Sequence, residues 1–366
     1  MRVRLEEFLA EVCEKTTEND QFPVLTSSKS GIFLQSDYFN KKVASADNTG
    51  YKIIRRGQFT YRAMSDTGEF FPNMLECTDI GIVSPAYPVF EITRTELVLP
   101  VFLKYFFKSA VFQNSIASFA QGSTRTSIKF EKLKTVFIDL PSIEEQRRII
   151  LLFGTVASVI SARQRQLRTL DTLIKARFVE MFGDIRSNPF GYEKKKLKQT
   201  CNVVTGNTPS RSVPEYYGEY IEWIKTDNIV SGILNPTRAS EFLSEEGMKV
   251  GRTVDCGSIL MACIAGSIAS IGRVCVTDRT VSFNQQINAI VPESYNTLFL
   301  YVMLQLSKEY LVEDISMALK GILSKSKLEE KEFIVPPIGE QKRFATFVSQ
   351  VDKSKVISQF MVEKAA

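Results

Sequence analysis

Apolar residues recur at every seventh position through the middle of the chain. One series is Phe153, Ile160, Leu167, Ile174 and Met181, and the interleaved series is Ile149, Val156, Arg163, Leu170 and Arg177. A heptad repeat of this kind is typical of helices that pack side by side in a coiled coil. At about 1.5 Å per residue, a helix over 143–182 is roughly 60 Å long. An ordinary core helix would explain the apolar stripe but not this length, so we predict a coiled-coil spacer.

Residues suited to helix ends flank this segment. Ser142 and Glu145 have the spacing of a capping box, in which the serine hydroxyl and the glutamate carboxylate each accept a backbone N–H. Pro141 stands just before, and Gly183 stands where glycine commonly ends a helix. These signals predict that the helix begins just after Pro141 and ends just before Gly183.

The phrase that opens this helix occurs twice. PSIEEQRRI begins at Pro141 and PPIGEQKRF begins at Pro336, which is 336 − 141 = 195 residues later. Gly57 matches Gly257 at an offset of 200, and further segments match in the same order at offsets that drift by a few residues. Loop insertions and deletions would produce such a drift. We therefore predict an internal duplication, with chance matches among short apolar runs as the alternative.

Each copy has the same order of predicted elements. Short β-like stretches bounded by turn residues come first, such as QFTYRA and GIVSPAYPVF in one copy and GSILMACIA and QQINAIV in the other. A short helix and then the helix opened by the repeated phrase follow. Phe344, Val348 and Val351 of the second long helix can face the first, and we expect the two helices to pack antiparallel.

The predicted fold therefore belongs to the α+β class. It has two tandem α/β domains joined by long helices packed as an antiparallel coiled coil, with a pseudo-two-fold internal repeat. The predicted boundaries are a first domain at 1–140, a central spacer helix at 141–184, a second domain at 185–335 and a short C-terminal spacer helix at 336–366.

The composition narrows the possible chemistry. The chain has no histidine, which removes Ser–His and Cys–His nucleophile pairs and zinc sites built on histidine. Its six cysteines lack a CxxC pair, which indicates buried apolar residues in a reducing compartment. We expect a cytoplasmic protein without a membrane partner, because there is no apolar run of 18 residues and no signal peptide. The net charge of +5 is compatible with a polyanionic partner but does not identify one.

Several motifs stand together in a specific order. They are LPSIEEQRRI, QLRTLDTLIKARFVEMFGD, GNTPS, IEWIKTDNI and SFNQQINAIVP, with VLTSSKSGI, GIVSPAYPVF and QGSTRTSI in the first copy. In this order, and over essentially the whole chain, the sequence resembles the DNA-specificity (S) subunits of type I restriction–modification systems. None of these motifs alone is a mechanistic signature.

The resemblance implies a DNA-recognition subunit that is not itself an enzyme. Its two target-recognition domains would each read one half of a split site in double-stranded DNA, and its spacer helices would dock two modification (methyltransferase) subunits. S-adenosylmethionine and ATP with Mg²⁺ would belong to the modification and restriction subunits. The sequence agrees, since it has no Gly-rich adenosylmethionine loop and no P-loop. No cofactor, metal or catalytic residue is expected in this chain.

Candidate DNA contacts follow from the chemistry of phosphates and base edges. Phosphates take Lys, Arg and hydroxyl groups, and base edges take Arg, Lys, Asn and Gln on projecting loops. The candidates in the first domain are Ser27, Ser28, Lys29, Arg62, Tyr87, Arg125 and Lys129. Those in the second are Thr208, Ser210, Arg211, Lys225, Thr226, Asn284, Gln285, Lys320 and Lys325. Each alone could equally be a solvated surface residue, so the prediction rests on the set.

The second long helix offers less chain than the first. At the offset of 195, Leu170 corresponds to position 365, and the counterpart of DTLIKARFVEMFGD is missing. We therefore expect Ile174, Phe178 and Met181 to lack a helical partner in this chain and to bind a modification subunit or a second copy.

Two other classes of function remain open. The chain could be a non-catalytic coiled-coil adaptor that binds proteins, or a fragment of a single-chain restriction–methylation enzyme. An adaptor would show little salt-dependent affinity for DNA, and the missing methyltransferase and ATP motifs count against an enzyme fragment.

Overall fold

The computed structural model describes residues 1–38, 45, 47–119, 126–313, 315 and 321–365. For residues 363–365 only the backbone is described. The chain divides into two compact units, Met1–Ser158 (unit 1) and Val159–Ala366 (unit 2). The division falls inside one long helix, Ile143–Phe182. The boundaries expected from the sequence at 140, 184 and 335 stay predictions.

Unit 1 combines short strands with short helices. Its strands are β1 (Arg2–Arg4), β2 (Leu9–Glu11), β3 (Leu25–Ser28), β4 (Gly31–Leu34), β5 (Lys52–Arg55), β6 (Phe59–Thr60), β7 (Met64–Ser65), β8 (Asn73–Met74), β9 (Ile80–Val83), β10 (Val89–Ile92), β11 (Thr126–Ser127) and β12 (Phe137–Asp139). Its helices are α1 (Gln35–Tyr38), α2 (Pro100–Phe106), α3 (Ala110–Ala117), α4 (Phe130–Lys134) and the first part of α5 (Ile143–Phe182).

Unit 2 contains the rest of α5 and a second set of elements. Its strands are β13 (Lys194–Lys196), β14 (Cys201–Thr205), β15 (Tyr217–Ile224), β16 (Phe242–Leu243), β17 (Thr253–Val254), β18 (Ile259–Ala262), β19 (Ile264–Ala265), β20 (Val274–Val276), β21 (Val281–Phe283), β22 (Ile287–Pro292), β23 (Gly321–Ile322) and β24 (Glu332–Ile334). Its other helices are α6 (Glu245–Val250), α7 (Thr297–Leu306), α8 (Lys308–Val312), α9 (Lys325–Glu330) and α10 (Ile338–Ala365).

The sheets confirm the predicted internal repeat. Unit 1 has a four-stranded sheet in the order β2-β10-β6-β8, and unit 2 has one in the corresponding order β14-β22-β18-β20. Strand β1 pairs with β12 as β13 pairs with β24, and β7 pairs with β11 as β19 pairs with β23. Gly57 and Gly257 precede β6 and β18, and both have φ of +87°, a conformation that favours glycine. The two copies therefore share backbone detail as well as order.

The central strand β18 shows why these segments lack clear alternation of polar and apolar residues. Ile259 and Met261 join the core cluster that contains α5, α7 and α10, whereas Leu260 and Ala262 join a separate cluster on the other side. Successive strand residues point to opposite faces of a sheet, so a strand with a core on both faces reads as an unbroken apolar run.

The long helix has the predicted limits. Helix α5 runs from Ile143 to Phe182, and the backbone N–H of Glu145 donates to Ser142 Oγ at 3.3 Å. Gly183 follows with φ of +72°, and a Cβ added there would lie 2.3 Å from Pro189 Cγ. Positive φ and the absence of space both select glycine at this helix end.

In unit 2, α5 and α10 pack antiparallel, as predicted. Phe178 and Phe182, near the end of α5, contact the ring of Phe344, near the start of α10, at 5.4 and 5.6 Å between centroids. Asp171, earlier in α5, pairs with Lys355, later in α10. Phe299 of α7 also contacts Phe178 and Phe182, at 5.6 and 4.9 Å. Aromatic packing between three helices thus fixes their orientation.

This packing corrects the expectation that Ile174, Phe178 and Met181 lack a partner within the chain. Ile174 and Phe178 are 8% and 0% exposed, and both belong to the core of unit 2. Met181 is partly buried against the same core. The expectation was wrong because the helices are antiparallel, so the end of α5 meets the start of α10 and not its C-terminal part.

Lys355 occupies a seam position where the first copy has Ile160. Lys355 is 9% exposed, and its ammonium group bonds to the carboxylate of Asp171. A buried cation needs such a partner, and a polar pair within an apolar seam favours one register of the two helices.

The repeated glutamine is a buried clamp in both units. Gln146 and Gln341 are each 0% exposed. The side-chain oxygen of Gln146 accepts the backbone N–H of Leu99, and that of Gln341 accepts the N–H of Asn296, both at 2.9 Å. Leu99 and Asn296 are the N-caps of α2 and α7. Each glutamine therefore ties the start of a long helix to the start of a short helix that lies earlier in the same unit.

The amide nitrogens complete the clamp. Gln146 Nε2 donates to the carbonyls of Leu97 and Pro141 at 2.8 and 3.0 Å, and Gln341 Nε2 donates to the carbonyl of Pro336 at 2.7 Å. Without the glutamine these buried backbone groups would lack hydrogen-bond partners, which costs free energy. This cost explains why both copies have glutamine at this point.

We expect Gln341→Leu to lower the free energy of unfolding of unit 2 by about 1–3 kcal/mol, since it leaves a buried carbonyl and an amide without partners. Urea denaturation followed by the fluorescence of Trp223 measures this, because Trp223 is the only tryptophan of the chain and lies in unit 2. Gln350→Leu, at an exposed position of the same helix, is the matched control. Equal effects of both substitutions would contradict the role of the clamp.

Candidate DNA-binding surfaces

A rigid loop, 206–213, begins the candidate surface of unit 2. It leaves β14 at Gly206, where an added Cβ would lie 2.2 Å from the carbonyl oxygen of Asn284. The side chain of Asn207 donates to the carbonyl of Val250 at 2.9 Å and accepts the N–H of Arg252 at 2.8 Å. Only glycine fits the first position, and the asparagine holds the second, so the loop is fixed where it starts.

Trp223 of β15 is the platform beneath this loop. The indole N–H of Trp223 donates to the carbonyl of Asn207 at 3.2 Å, and the hydroxyl of Tyr217 donates to the carbonyl of Pro209 at 2.6 Å. The guanidinium of Arg211 lies 4.3 Å from the centroid of the Tyr217 ring and 5.2 Å from that of Trp223. The ammonium group of Lys225 lies 5.1 Å from the Trp223 ring. Arg211 and Lys225, two of the predicted DNA contacts, thus both lie over the ring of Trp223.

A single carboxylate joins these two cations. Arg211 donates to Glu241 Oε2 at 2.6 Å, and Lys225 bonds to Glu241 Oε1. The hydrogen bonds from Lys225 and then Arg211 hold the pKa of Glu241 below its usual range. The bond to Glu241 in turn raises the pKa of Arg211. Glu241 and Arg211 are therefore both charged at neutral pH.

The loop at 284–286 comes next to the loop at 206–213. The hydroxyl of Thr208 donates to the side-chain oxygen of Gln285, and both residues are exposed. Asn284 is only 6% exposed. Its side-chain oxygen accepts the backbone N–H of Gln286 at 3.1 Å, and its side-chain nitrogen donates to the side-chain oxygen of Gln286 at 3.2 Å. Gln285 is therefore available to a ligand, whereas Asn284 holds the turn.

The other two candidates on these loops are Ser210 and Thr226. Ser210 is exposed and exchanges a hydrogen bond with Ser212 at 2.7 Å. Thr226 begins the 3-10 helix Thr226–Asn228 directly after Lys225. The structure thus brings Thr208, Ser210, Arg211, Lys225, Thr226, Asn284 and Gln285 onto neighbouring loops.

In unit 1 five candidates line one cavity of about 780 Å³. They are Ser27, Ser28, Lys29, Arg62 and Tyr87. The hairpin of β3 and β4 supplies the first three, and the amide nitrogen of Asn73 holds that hairpin by donating to Ser27 Oγ at 3.0 Å and to the carbonyl of Ser28 at 2.8 Å. Separate stretches of the sequence therefore converge at this opening.

The two cations of this cavity differ in their surroundings. Lys29 pairs with Glu69 at 3.1 Å and lies 5.1 Å from the ring of Phe71. Arg62 is exposed and makes no hydrogen bond or ion pair with any residue that the structure describes. A cation, a carboxylate and an aromatic ring thus recur here, while Arg62 offers all its donors to a ligand.

Four lysine and arginine candidates remain. Arg125 and Lys320 lie outside the described residues. Lys129 is exposed at the N-cap of α4, and Lys325 begins α9 and pairs with Glu329 at 3.5 Å.

Sequence reasoning missed the groups that organise the surface. Trp223 and Lys225 are two residues apart at the end of a strand, and this spacing would place both on one face. Glu241 lies 16 residues after Lys225, and no local pattern connects them. Glu69 and Asn73 were missed for the same reason.

The buried thiols offer little chemistry. Burial raises the pKa of Cys201 to about 11 and the pKa values of Cys263 and Cys275 to about 12. These thiols stay protonated and unreactive at neutral pH. Within the described ranges no three His, Cys, Asp or Glu side chains are grouped to hold a metal ion. Of the helices in those ranges, none is both long and apolar enough to cross a membrane.

Comparison with known proteins agrees with this arrangement. Residues 189–359 match the family model of the type I restriction modification DNA specificity domain. The specificity subunit of type I restriction enzyme HindI from Haemophilus influenzae is 32% identical over 120 residues, or 32% of this chain. That of MjaIX from Methanocaldococcus jannaschii is 28% identical over 188 residues, or 49% of this chain. Over these parts of its length the chain is similar to type I restriction enzyme specificity subunits.

Two solved structures share the fold over all of this chain. One is the type I S subunit from M. genitalium, 12% identical with a TM-score of 0.59 over 92% of its length. The other comes from a study of complex assembly and conformational transition in the type I system, 19% identical with a TM-score of 0.56 over 97% of its length. The predicted fold class, tandem domains with long helices, is confirmed. The matched part of this chain spans only 25% of the length of the HindI subunit and 43% of the length of the MjaIX subunit.

We expect Asn207→Ala to loosen the loop on the Trp223 platform. It removes two side-chain hydrogen bonds, which should lower the free energy of unfolding of unit 2 by about 1–2 kcal/mol. Faster hydrogen exchange at the amide of Arg252 and a red shift of Trp223 emission would report the change. Asn202→Ala, at an exposed position of β14, is the control and should alter neither. An unchanged exchange rate at Arg252 would contradict the anchoring role of Asn207.

Proposed function

We propose that this chain is the sequence-specific DNA-recognition subunit of a type I restriction–modification complex. Each unit would read one half of a split DNA site. The observation that carries the proposal is that both copies of one fold gather the side chains suited to DNA on loops at the surface of a repeated scaffold. The match to the DNA specificity domain supports the same assignment.

The chemistry of the two surfaces supports both kinds of DNA contact. Arg211 has five N–H donors, of which Glu241 uses few, and its remaining donors suit the O6 and N7 acceptors of guanine. Gln285 can bond adenine in the major groove. Lys29, Ser28 and Arg62 suit phosphate oxygens, which position a protein on the duplex without reading sequence. A mixture of both contact types is what half-site reading requires.

Catalysis is assigned to other chains of the complex. We assign methyl transfer with S-adenosylmethionine to two modification subunits, and ATP- and Mg²⁺-dependent restriction to restriction subunits. The sequence supports this division because it lacks histidine and any Gly-rich nucleotide-binding motif. The chain would therefore bind double-stranded DNA and modification subunits without its own cofactor.

The test is selection of binding sites from random-sequence duplexes by the chain assembled with its modification subunit. We expect a split site, with an affinity that falls steeply as salt rises. Arg211→Ala should relax selectivity in one half of the site only, at a cost of about 1–3 kcal/mol for the preferred base pair. The matched control is Arg343→Ala, which removes the same charge from a residue of α10 whose side chain is 73% exposed.

Three results would contradict the proposal. One is the absence of any selected sequence, which an adaptor would give. Another is relaxed selectivity in both halves after Arg211→Ala. The third is methyl transfer by the rigorously purified chain alone, which would place catalysis here.

The long helices are proposed to set the gap between the half-sites. Duplicating residues 156–162 after Ala162, and residues 350–356 after Val356, adds seven residues to each helix and nearly preserves the helical phase. At about 1.5 Å per residue this adds roughly 10 Å, or about three base pairs of DNA. Sequencing the methylated sites of cells with this variant measures the gap, and the half-site sequences serve as the internal control. An assembled, active variant with the original gap would show that the helices do not set it.

A further inference from the structure

One carboxylate controls two of the cations on the unit 2 surface. Glu241 Oε2 accepts from Arg211 at 2.6 Å, and Glu241 Oε1 bonds to Lys225. Glu241 is itself held in place, because its backbone carbonyl accepts the N–H of Trp223 at 3.0 Å. The side chain of Glu241 is 34% exposed, and that of Arg211 is 57% exposed. The carboxylate is therefore anchored, and a ligand can reach the cations that it binds.

This arrangement favours some contacts over others. A phosphate that took both cations away from Glu241 would have to replace two charge-assisted hydrogen bonds and leave the carboxylate beside a second anion. A base edge needs only those donors of Arg211 that Glu241 does not use. The position of the Arg211 guanidinium over the rings of Tyr217 and Trp223 helps to hold this side chain in place during such a contact. The geometry therefore penalises binding through phosphates alone more than it penalises binding to a base.

We propose that Glu241 determines the selectivity of the unit 2 surface by holding Arg211 and Lys225 in one partly neutralised arrangement. This inference rests on the proposed DNA-recognition function and deepens it. Glu241 acts as a positioning residue, since it works through the two cations and needs no contact with DNA.

Unit 1 offers an independent parallel. Lys29 pairs with Glu69 at 3.1 Å and lies 5.1 Å from the ring of Phe71, on the wall of the cavity that also contains Arg62. A cation, a carboxylate and an aromatic ring are again combined, although they come from different loops of the fold. The unit 2 arrangement is the tighter of the two, because one carboxylate there binds two cations.

Three substitutions separate charge from geometry. Glu241→Gln removes the negative charge and keeps the side-chain shape. Glu241→Asp keeps the charge but is one methylene shorter, so it cannot reach both cations as Glu241 does. Glu246→Gln is the matched control, because it removes one negative charge from an exposed pair with Lys249 on α6, at 2.6 Å.

The experiment measures the Kd of the chain assembled with its modification subunit for two duplexes, at several salt concentrations. One duplex carries the site selected by the unmodified chain, and the other has the unit 2 half-site scrambled. We expect Glu241→Gln to bind the scrambled duplex more tightly, with a salt slope steeper by about one. The ratio of the Kd for the scrambled duplex to the Kd for the selected duplex should fall about fivefold or more. Glu241→Asp should also lower this ratio, without the steeper slope.

The control should leave the ratio unchanged, because Glu246 does not contact either cation. The emission of Trp223 and the thermal unfolding curve of each variant show whether unit 2 remains folded. If Glu241→Gln and Glu241→Asp remain folded and keep the ratio of the unmodified chain, the inference about Glu241 is wrong while the proposed function stands. If the unmodified chain selects no sequence at all, the proposed function and this inference both fail.

Discussion

The buried glutamine at the start of each long helix is the contact on which the rest of the fold depends. Gln146 and Gln341 each bind the N-cap of a preceding helix and the backbone just before their own helix. One amide thus holds the start of each long helix against backbone groups from two stretches of the chain. A residue without both a donor and an acceptor could not satisfy these backbone groups, so an otherwise varied sequence repeats the phrase around this glutamine.

The direction of the helices decides which apolar residues are covered. In unit 2 the rings of Phe178 and Phe182 meet Phe344 and Phe299, so the aromatic core forms where one helix ends and the other begins. The sequence repeat aligns α5 and α10 from their first residues, which suggests that residues at equal distances from the two helix starts contact each other. Antiparallel packing reverses that correspondence, which is why the expectation for Ile174, Phe178 and Met181 failed. Lys355 shows the same point, because it appears misplaced in the heptad until Asp171 is seen opposite it.

Local patterns in the sequence predicted local structure well. The limits of α5 followed from Pro141, Ser142 and Gly183, each of which acts within a few residues of its own position. The repeat gave the common topology of the units. The candidate site was predicted only as a set of loops, because Glu241 reaches Lys225 across a β-strand pairing that no spacing in the sequence reveals. Asn284 has the right chemistry for adenine, but its burial depends on the turn that it holds.

A repeated scaffold can carry different loops in its two copies. The hydrogen bonds that define each sheet are between backbone groups, so they place little restriction on the side chains of the connecting loops. Unit 1 presents a short hairpin, β3 and β4, with three residues of its candidate set. In unit 2 the candidate surface is built on the longer strand β15, with Trp223 beneath two cations. Loop length and side chains can therefore change in one unit while the glutamine clamp and the sheet order stay the same. A protein built in this way can vary the loops of one unit without altering the scaffold of the other.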